Sequence, residues 1–230
     1  MKGLFEAVYN RLFARFGPQH WWPASTPFEM AVGAILTQSV SWRNVERAIA
    51  NLASEGLLEP APLAGAPIEL VAELVRPARY YWQKARRLQT FARHLVQRHG
   101  GSIEAMLRGE TAKVRSELLA LEGIGPETAD SILLYGGGHP VFVVDAYTRR
   151  LFHRIGVWDE KIGYAAMQER FHRALPADPG LFNEYHALIV RAGKEYCTAR
   201  RPRCGGCPLA SLCRTAAEAE SSSGEDGSPR

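Results

Sequence analysis

Lysine, cysteine and strand-forming stretches are all scarce in this chain. Of its 28 basic residues only five are lysine (Lys2, Lys84, Lys113, Lys161 and Lys194), so few side chains could serve as an amine nucleophile. Four cysteines in 230 residues exclude a disulfide-built scaffold. No apolar run approaches the roughly 18 residues of a membrane span. The opening segment, MKGLFEAVYNRLFARFG, spaces Glu6, Asn10, Arg11 and Arg15 at helical intervals, without the apolar block and cleavage site of a signal peptide. A soluble, cytosolic protein is expected. Internal repeats are absent. VFVV (141–144) alone resembles a strand, and four residues without a partner make a poor sheet.

What is present points to helices. A 46% hydrophobic share supports one large or two small folded domains. Apolar residues recur at three-to-four spacing over 3–16, 27–38, 42–54, 68–75, 80–99, 102–107, 111–120, 126–135, 146–155, 160–174 and 179–195. The breaks fall at Gly17-Pro18, Pro60, Pro77, Gly100-Gly101, Gly136-Gly137-Gly138 and Pro176. The fold class expected is all-α. The last fourteen residues, AEAESSSGEDGSPR, hold four acids and one base, and 217–230 reads as a disordered acidic tail. Without it, 27 basic residues face 20 acidic ones, a balance that favours an anionic partner such as nucleic acid.

Three motifs carry chemistry. Cys197, Cys204, Cys207 and Cys213 lie within seventeen residues as C-x6-C-x2-C-x5-C, flanked by Lys194, Arg200, Arg201, Arg203 and Arg214. Four thiolates so close together suit a tetrahedral zinc or a cubane iron–sulfur cluster, and ligand type does not choose between them. LEGIGPETA (121–129) places Gly123, Ile124 and Gly125 between two helical stretches. Both glycines permit a tight turn with φ > 0, and Pro126 suits the first position of the next helix. A helix N-terminus so exposed is a seat for phosphate. Finally, Asp145 in VDAYTRR (144–150) precedes a helix, where a capping carboxylate stays ionised beside the positive end of the dipole.

Taken together, GAILTQSVS (33–41), LEGIGPETAD (121–130), VVDAYTRRLFHRIG (143–156) and ARRPRCGGCPLASLC (199–213) resemble the helix-hairpin-helix DNA glycosylases, of which endonuclease III is the best-known member. The resemblance runs from Phe28 to Cys213. It implies that the hairpin grips double-stranded DNA, that Asp145 is catalytic, and that the four cysteines hold a 4Fe–4S cluster. It also implies that Gln38 enters the duplex where the damaged nucleotide leaves. The implied fold is a pair of helical lobes with a cleft between them. One is a six-helix bundle over 25–138 ending in the hairpin. The other joins 1–24 to 139–216 and bears the cluster.

One departure bears on mechanism. Where endonuclease III carries its imine-forming lysine, this chain has Glu127, and a carboxylate cannot form an imine. The expectation is a monofunctional glycosylase, active as a monomer. Trp21-Trp22-Pro23, Trp42 and VRPARYYWQKARRL (75–88) resemble a 3-methyladenine glycosylase branch of the family. Stacking of a cationic alkylpurine on Trp21, Trp22 and Trp42, with Glu127 nearby, would exploit cation–π attraction. Two alternatives are a bifunctional glycosylase and lyase for oxidised pyrimidines, and a protein that binds damaged DNA without cutting it.

Overall fold

The computed structural model describes residues 2–22 and 24–224. Its helices are α1 (Lys2–Phe16), α2 (Pro27–Leu36), α3 (Trp42–Ser54), α4 (Pro60–Gly65), α5 (Ile68–Leu74), α6 (Tyr81–His99), α7 (Ile103–Leu107), α8 (Thr111–Leu119), α9 (Pro126–Ser131), α10 (Ala146–Ile155), α11 (Tyr164–Ala174), α12 (Pro179–Glu195) and α13 (Arg214–Gly224). A π-helical turn, Ile132–Gly136, continues α9. Among the described residues there is no strand. No helix is long and apolar enough to cross a membrane. The chain divides into two compact units, residues 22–140 and residues 1–21 with 141–230.

The unit 22–140 is built around α2. Its sequence, PFEMAVGAIL, is apolar on every side, and Phe28, Met30 and all residues from Ala31 to Leu36 are buried. Thr26 sets its start: the hydroxyl accepts from the Glu29 amide at 3.1 Å, with Pro27 in the first turn. α6 lays an apolar face of Ala85, Leu88, Phe91, Ala92 and Leu95 into the core and ends at Gly100, φ 61. Eight α-helical segments fill the unit, rather than the six expected. The extra ones are short. Pro60, expected to break the chain, instead opens α4 at the position where its missing N–H costs nothing.

The other unit closes on aromatic rings. Phe142 stacks on Phe171 with centroids 3.6 Å apart, and Phe5 meets Phe152 and Phe171 at 5.0 and 4.8 Å. Each such ring removed from water contributes roughly 1.5–3 kcal/mol. Buried among them, the Tyr185 hydroxyl donates to Phe5 O at 2.8 Å, tying α12 to α1. VFVV (141–144) is buried and forms no strand, because side chains of α11 satisfy its backbone. Phe142 N donates to His172 Nε2 at 3.0 Å, and Gln168 Nε2 donates to Phe142 O at 2.8 Å. The expected tail at 217–230 is corrected in part: α13 runs to Gly224, with Ala216 buried and Arg214 3.8 Å from Glu218 one turn on. Residues 225–230 lie outside the described residues.

Candidate functional site

The hairpin joins α8 to α9 through residues 120–125. Gly123 has φ 82, and a Cβ there would come within 2.1 Å of Arg87 Nε. Only glycine fits both the backbone and the space. Gly125 departs from expectation: its φ is −90 and its ψ 177, extended backbone open to any residue, and a Cβ would meet nothing within 4 Å. It caps α9, and its bare surface leaves room for a ligand to approach. Ile124 is 5% exposed, so it anchors the turn rather than offering a contact surface. Arg115 of α8 grips the buried Asp130 of α9 with two bonds, 2.7 and 3.2 Å, bracing the two helices. Gly123→Ala should therefore cost about 1–3 kcal/mol of stability. Gly125→Ala should be nearly neutral, yet weaken binding of undamaged duplex. Urea unfolding with a salt-titrated binding assay separates the two, and equal effects on stability would contradict this assignment.

Gln38 follows α2, in a turn where Ser39 has φ 56. Its amide nitrogen donates to Gly123 O at 3.1 Å and to Thr128 Oγ1 at 3.0 Å, while its oxygen accepts from Arg87. Gln38 is thus held against the hairpin. Lys84, 2% exposed, braces this turn from below, donating to Leu36 O at 2.8 Å, Gln38 O at 2.9 Å and Ala78 O at 2.6 Å. Burial, and then the Arg87 charge, lower its ammonium to about 8. The bond to Ala78 O ties in a second strained turn, with Arg79 and Tyr80 at φ 56 and 44. Tyr80 is the most exposed large apolar side chain among the described residues, at 67%. Neither Lys84 nor Tyr80 was singled out from the sequence, although a lysine among YYW and KARRL was visible.

The aromatic set is brought together in part. Trp22 meets Trp42 edge-on at 4.9 Å and Tyr135 at 5.3 Å, and packs over Gly33 of α2. Trp42 Nε1 donates to Glu46 at 2.8 Å. Trp21 belongs to the other unit, where the Lys194 ammonium lies 5.8 Å from its ring. Glu127 is exposed in the first turn of α9.

Asp145 caps α10. Its Oδ1 accepts from the Thr148 amide at 2.7 Å, and its Oδ2 lies 3.6 Å from His186 Nε2 on α12. Burial pushes the carboxyl up, but the His186 charge, with the Thr148 bonds, outweighs it and holds Asp145 below its ordinary value. The result is a fixed, ionised carboxylate that is 13% exposed. His186 escaped the sequence reading because one histidine within FNEYHALIV looks like an ordinary core residue.

The cysteine loop follows α12. Cys197 is buried and Cys204, Cys207 and Cys213 are partly so, and all four line one small pocket with Leu151, Arg154 and Leu209. Burial, with the neighbouring Cys197, Cys213 and Cys204, pushes the Cys207 thiol up, although a backbone bond at Leu209 opposes this. Crowded thiols of this kind call for a cation among them. Arg150 donates to Cys197 O at 2.7 Å, and Arg154 to Cys197 Sγ at 3.3 Å and to Thr198 O and Ala199 O, both at 2.8 Å. Four free thiols converging on one pocket are a donor set that fits an iron–sulfur core. When bound, such a core supplies a four-point anchor for residues 197–213. Arg200, Arg201 and Arg203 are exposed beside it.

Residues 32–177 match the HhH-GPD superfamily of base excision DNA repair proteins, and residues 197–213 match the iron–sulfur binding domain of endonuclease III. A protein of Methanocaldococcus jannaschii, named as a candidate DNA repair glycosylase, is 45% identical over 90% of this chain and 94% of its own. The structure of a trapped endonuclease III–DNA covalent intermediate superposes with TM-score 0.83 at 22% identity, covering 96% of this chain and 99% of that one. The Helicobacter pylori 3-methyladenine DNA glycosylase bound to 1,N6-ethenoadenine gives TM-score 0.74 at 26% identity, over 84% and 97%.

Proposed function

This chain belongs to the HhH-GPD superfamily of base excision DNA repair proteins, with the endonuclease III iron–sulfur domain after it, and on that premise we propose a monofunctional DNA glycosylase that acts on alkylated purines in duplex DNA. The observation that carries the reading is the pairing of an anchored, ionised Asp145 with the absence of a lysine from the hairpin helix.

Base release breaks the bond between C1′ and the base nitrogen, with the electron pair leaving on the base. A cationic alkylpurine departs neutral, so it needs no acid to protonate it. The sugar carbon is left electron-poor, and the Asp145 charge stabilises it. Water then adds at C1′ and loses its proton, giving an abasic site with both strands intact. Holding Asp145 ionised is what His186 and the Thr148 amide contribute.

DNA would be held by the hairpin, whose leading α9 amides lack helical partners, and by the exposed arginines 200, 201 and 203. Gln38, released from Gly123 and Thr128, and the exposed ring of Tyr80 lie on turns bound to the same ammonium of Lys84, and both suit insertion or stacking at an unpaired site. Trp22 and Trp42 supply aromatic faces that favour a charged base. The buried lysine is poorly placed for imine chemistry, because Lys84 spends its donors on three carbonyls.

A panel of duplexes, each with one damaged base and analysed with and without alkali, tests both halves of the proposal. Alkylpurine duplexes should release base and break only after alkali. Borohydride should trap little enzyme on DNA, and Glu127→Lys should gain trapping and strand cleavage. Abundant trapping by the unaltered protein would reveal an imine-forming amine and defeat the monofunctional reading.

A further inference from the structure

Away from these residues, the C-terminal end of α6 meets α8 at three side chains that none of the reasoning above uses. His94 Nε2 and His99 Nε2 each lie 2.6 Å from the same oxygen, Oε1 of Glu117. The ligand-type atoms of all three fall within 4.8 Å of one another. The two imidazole rings are 5.6 Å apart and tilted by 54°, so they converge from different directions. His99 closes α6 immediately before the left-handed Gly100, which lets a histidine five residues beyond His94 reach the same point.

We propose that His94, His99 and Glu117 form a binding site for a divalent zinc-class ion. Two imidazole nitrogens and one carboxylate are a donor set that zinc takes, at about 2.0–2.2 Å, with water completing the tetrahedron. The histidine side chains are 19% exposed and that of Glu117 30%, which leaves an open side for that water and a route of entry. An ion entering here would displace the two Nε2 protons now shared with Glu117 Oε1, and would then meet two lone pairs and a negative charge together. Bound there, the ion clips the end of α6 to α8, the helix that leads into the hairpin three residues after Glu117. The site is structural in kind and distinct from the cysteine loop, whose donors are all sulfur.

The test uses the cluster-loaded protein dialysed against about 10 μM zinc, a concentration that fills any site of submicromolar Kd by mass action. Zinc should be retained at about one ion per chain with the iron content unchanged, and the melting temperature should rise by several degrees. His94→Ala and His99→Ala should each weaken retention at least tenfold and abolish that rise. Should either variant fold poorly, X-ray absorption at the zinc edge of the unaltered protein decides: only nitrogen and oxygen neighbours near 2.0 Å, with imidazole scattering, support the site. No retained zinc, retention equal in the variants, or sulfur neighbours near 2.3 Å would each overturn it.

Discussion

Asp145→Asn is expected to lower the rate of base release by about 10²- to 10³-fold while duplex affinity stays within a few-fold of the parent. The asparagine oxygen can still accept from the Thr148 amide, so the cap on α10 survives. Under the proposed function, what disappears is the negative charge that stabilises an electron-poor sugar, and a fixed electrostatic contact of this kind contributes about 2.7–4 kcal/mol to a transition state. Single-turnover kinetics with a gel-shift assay on the same duplex separate the two quantities. A matching loss of affinity would mean that Asp145 positions DNA rather than stabilising the sugar. The pH dependence follows from the same contacts. Because the folded carboxyl sits below its ordinary value of 3.8, its stabilising contribution is present above that value and lost as pH falls through the folded one. Acid unfolding of the parent should therefore carry a component that Asp145→Asn lacks.

The sequence reading found this carboxylate but not the histidine that faces it, and the difference is physical. A cap reveals itself locally, as an acid one residue before a helical run, whereas His186 reaches Asp145 only after α12 packs against α10. Most helices were legible for the same local reason: the periodicity of 42–54, 146–155 and 179–195 gives α3, α10 and α12 with identical ends. α4 was missed because proline stops a helix and also starts one. VFVV carries strand propensity, yet Gln168 and His172 supply its hydrogen bonds from a helix two dozen residues away. The glycines of the hairpin were legible as a turn, but not which of them is strained. That depends on Arg87, which fills the space a Cβ at Gly123 would need and also holds Gln38.

Replacing Cys207 with alanine should remove the iron, lower the melting temperature by about 10 °C or more, and slow base release as well. The parent should be yellow-brown with about four irons per chain. The loop has little regular structure of its own: residues 197–213 contain only two three-residue 3-10 turns, Cys204–Gly206 and Ala210–Leu212. A metal centre that fixes four points of such a segment contributes folding energy directly. Losing even a third of a typical structural-metal contribution, roughly 3–5 kcal/mol, moves the melting point by that much in a protein of this size. The effect on catalysis runs through α10. Arg150 and Arg154 on its later turns hold the backbone at Cys197, Thr198 and Ala199, and Asp145 is the cap of the same helix. Freed carbonyls in the loop leave those guanidinium groups without fixed partners, and the helix that aims the carboxylate loses its brace. Iron analysis, calorimetry and single-turnover rates on Cys207→Ala provide the check. Iron loss with an unchanged melting temperature and rate would show that the arginine contacts alone keep α10 in place.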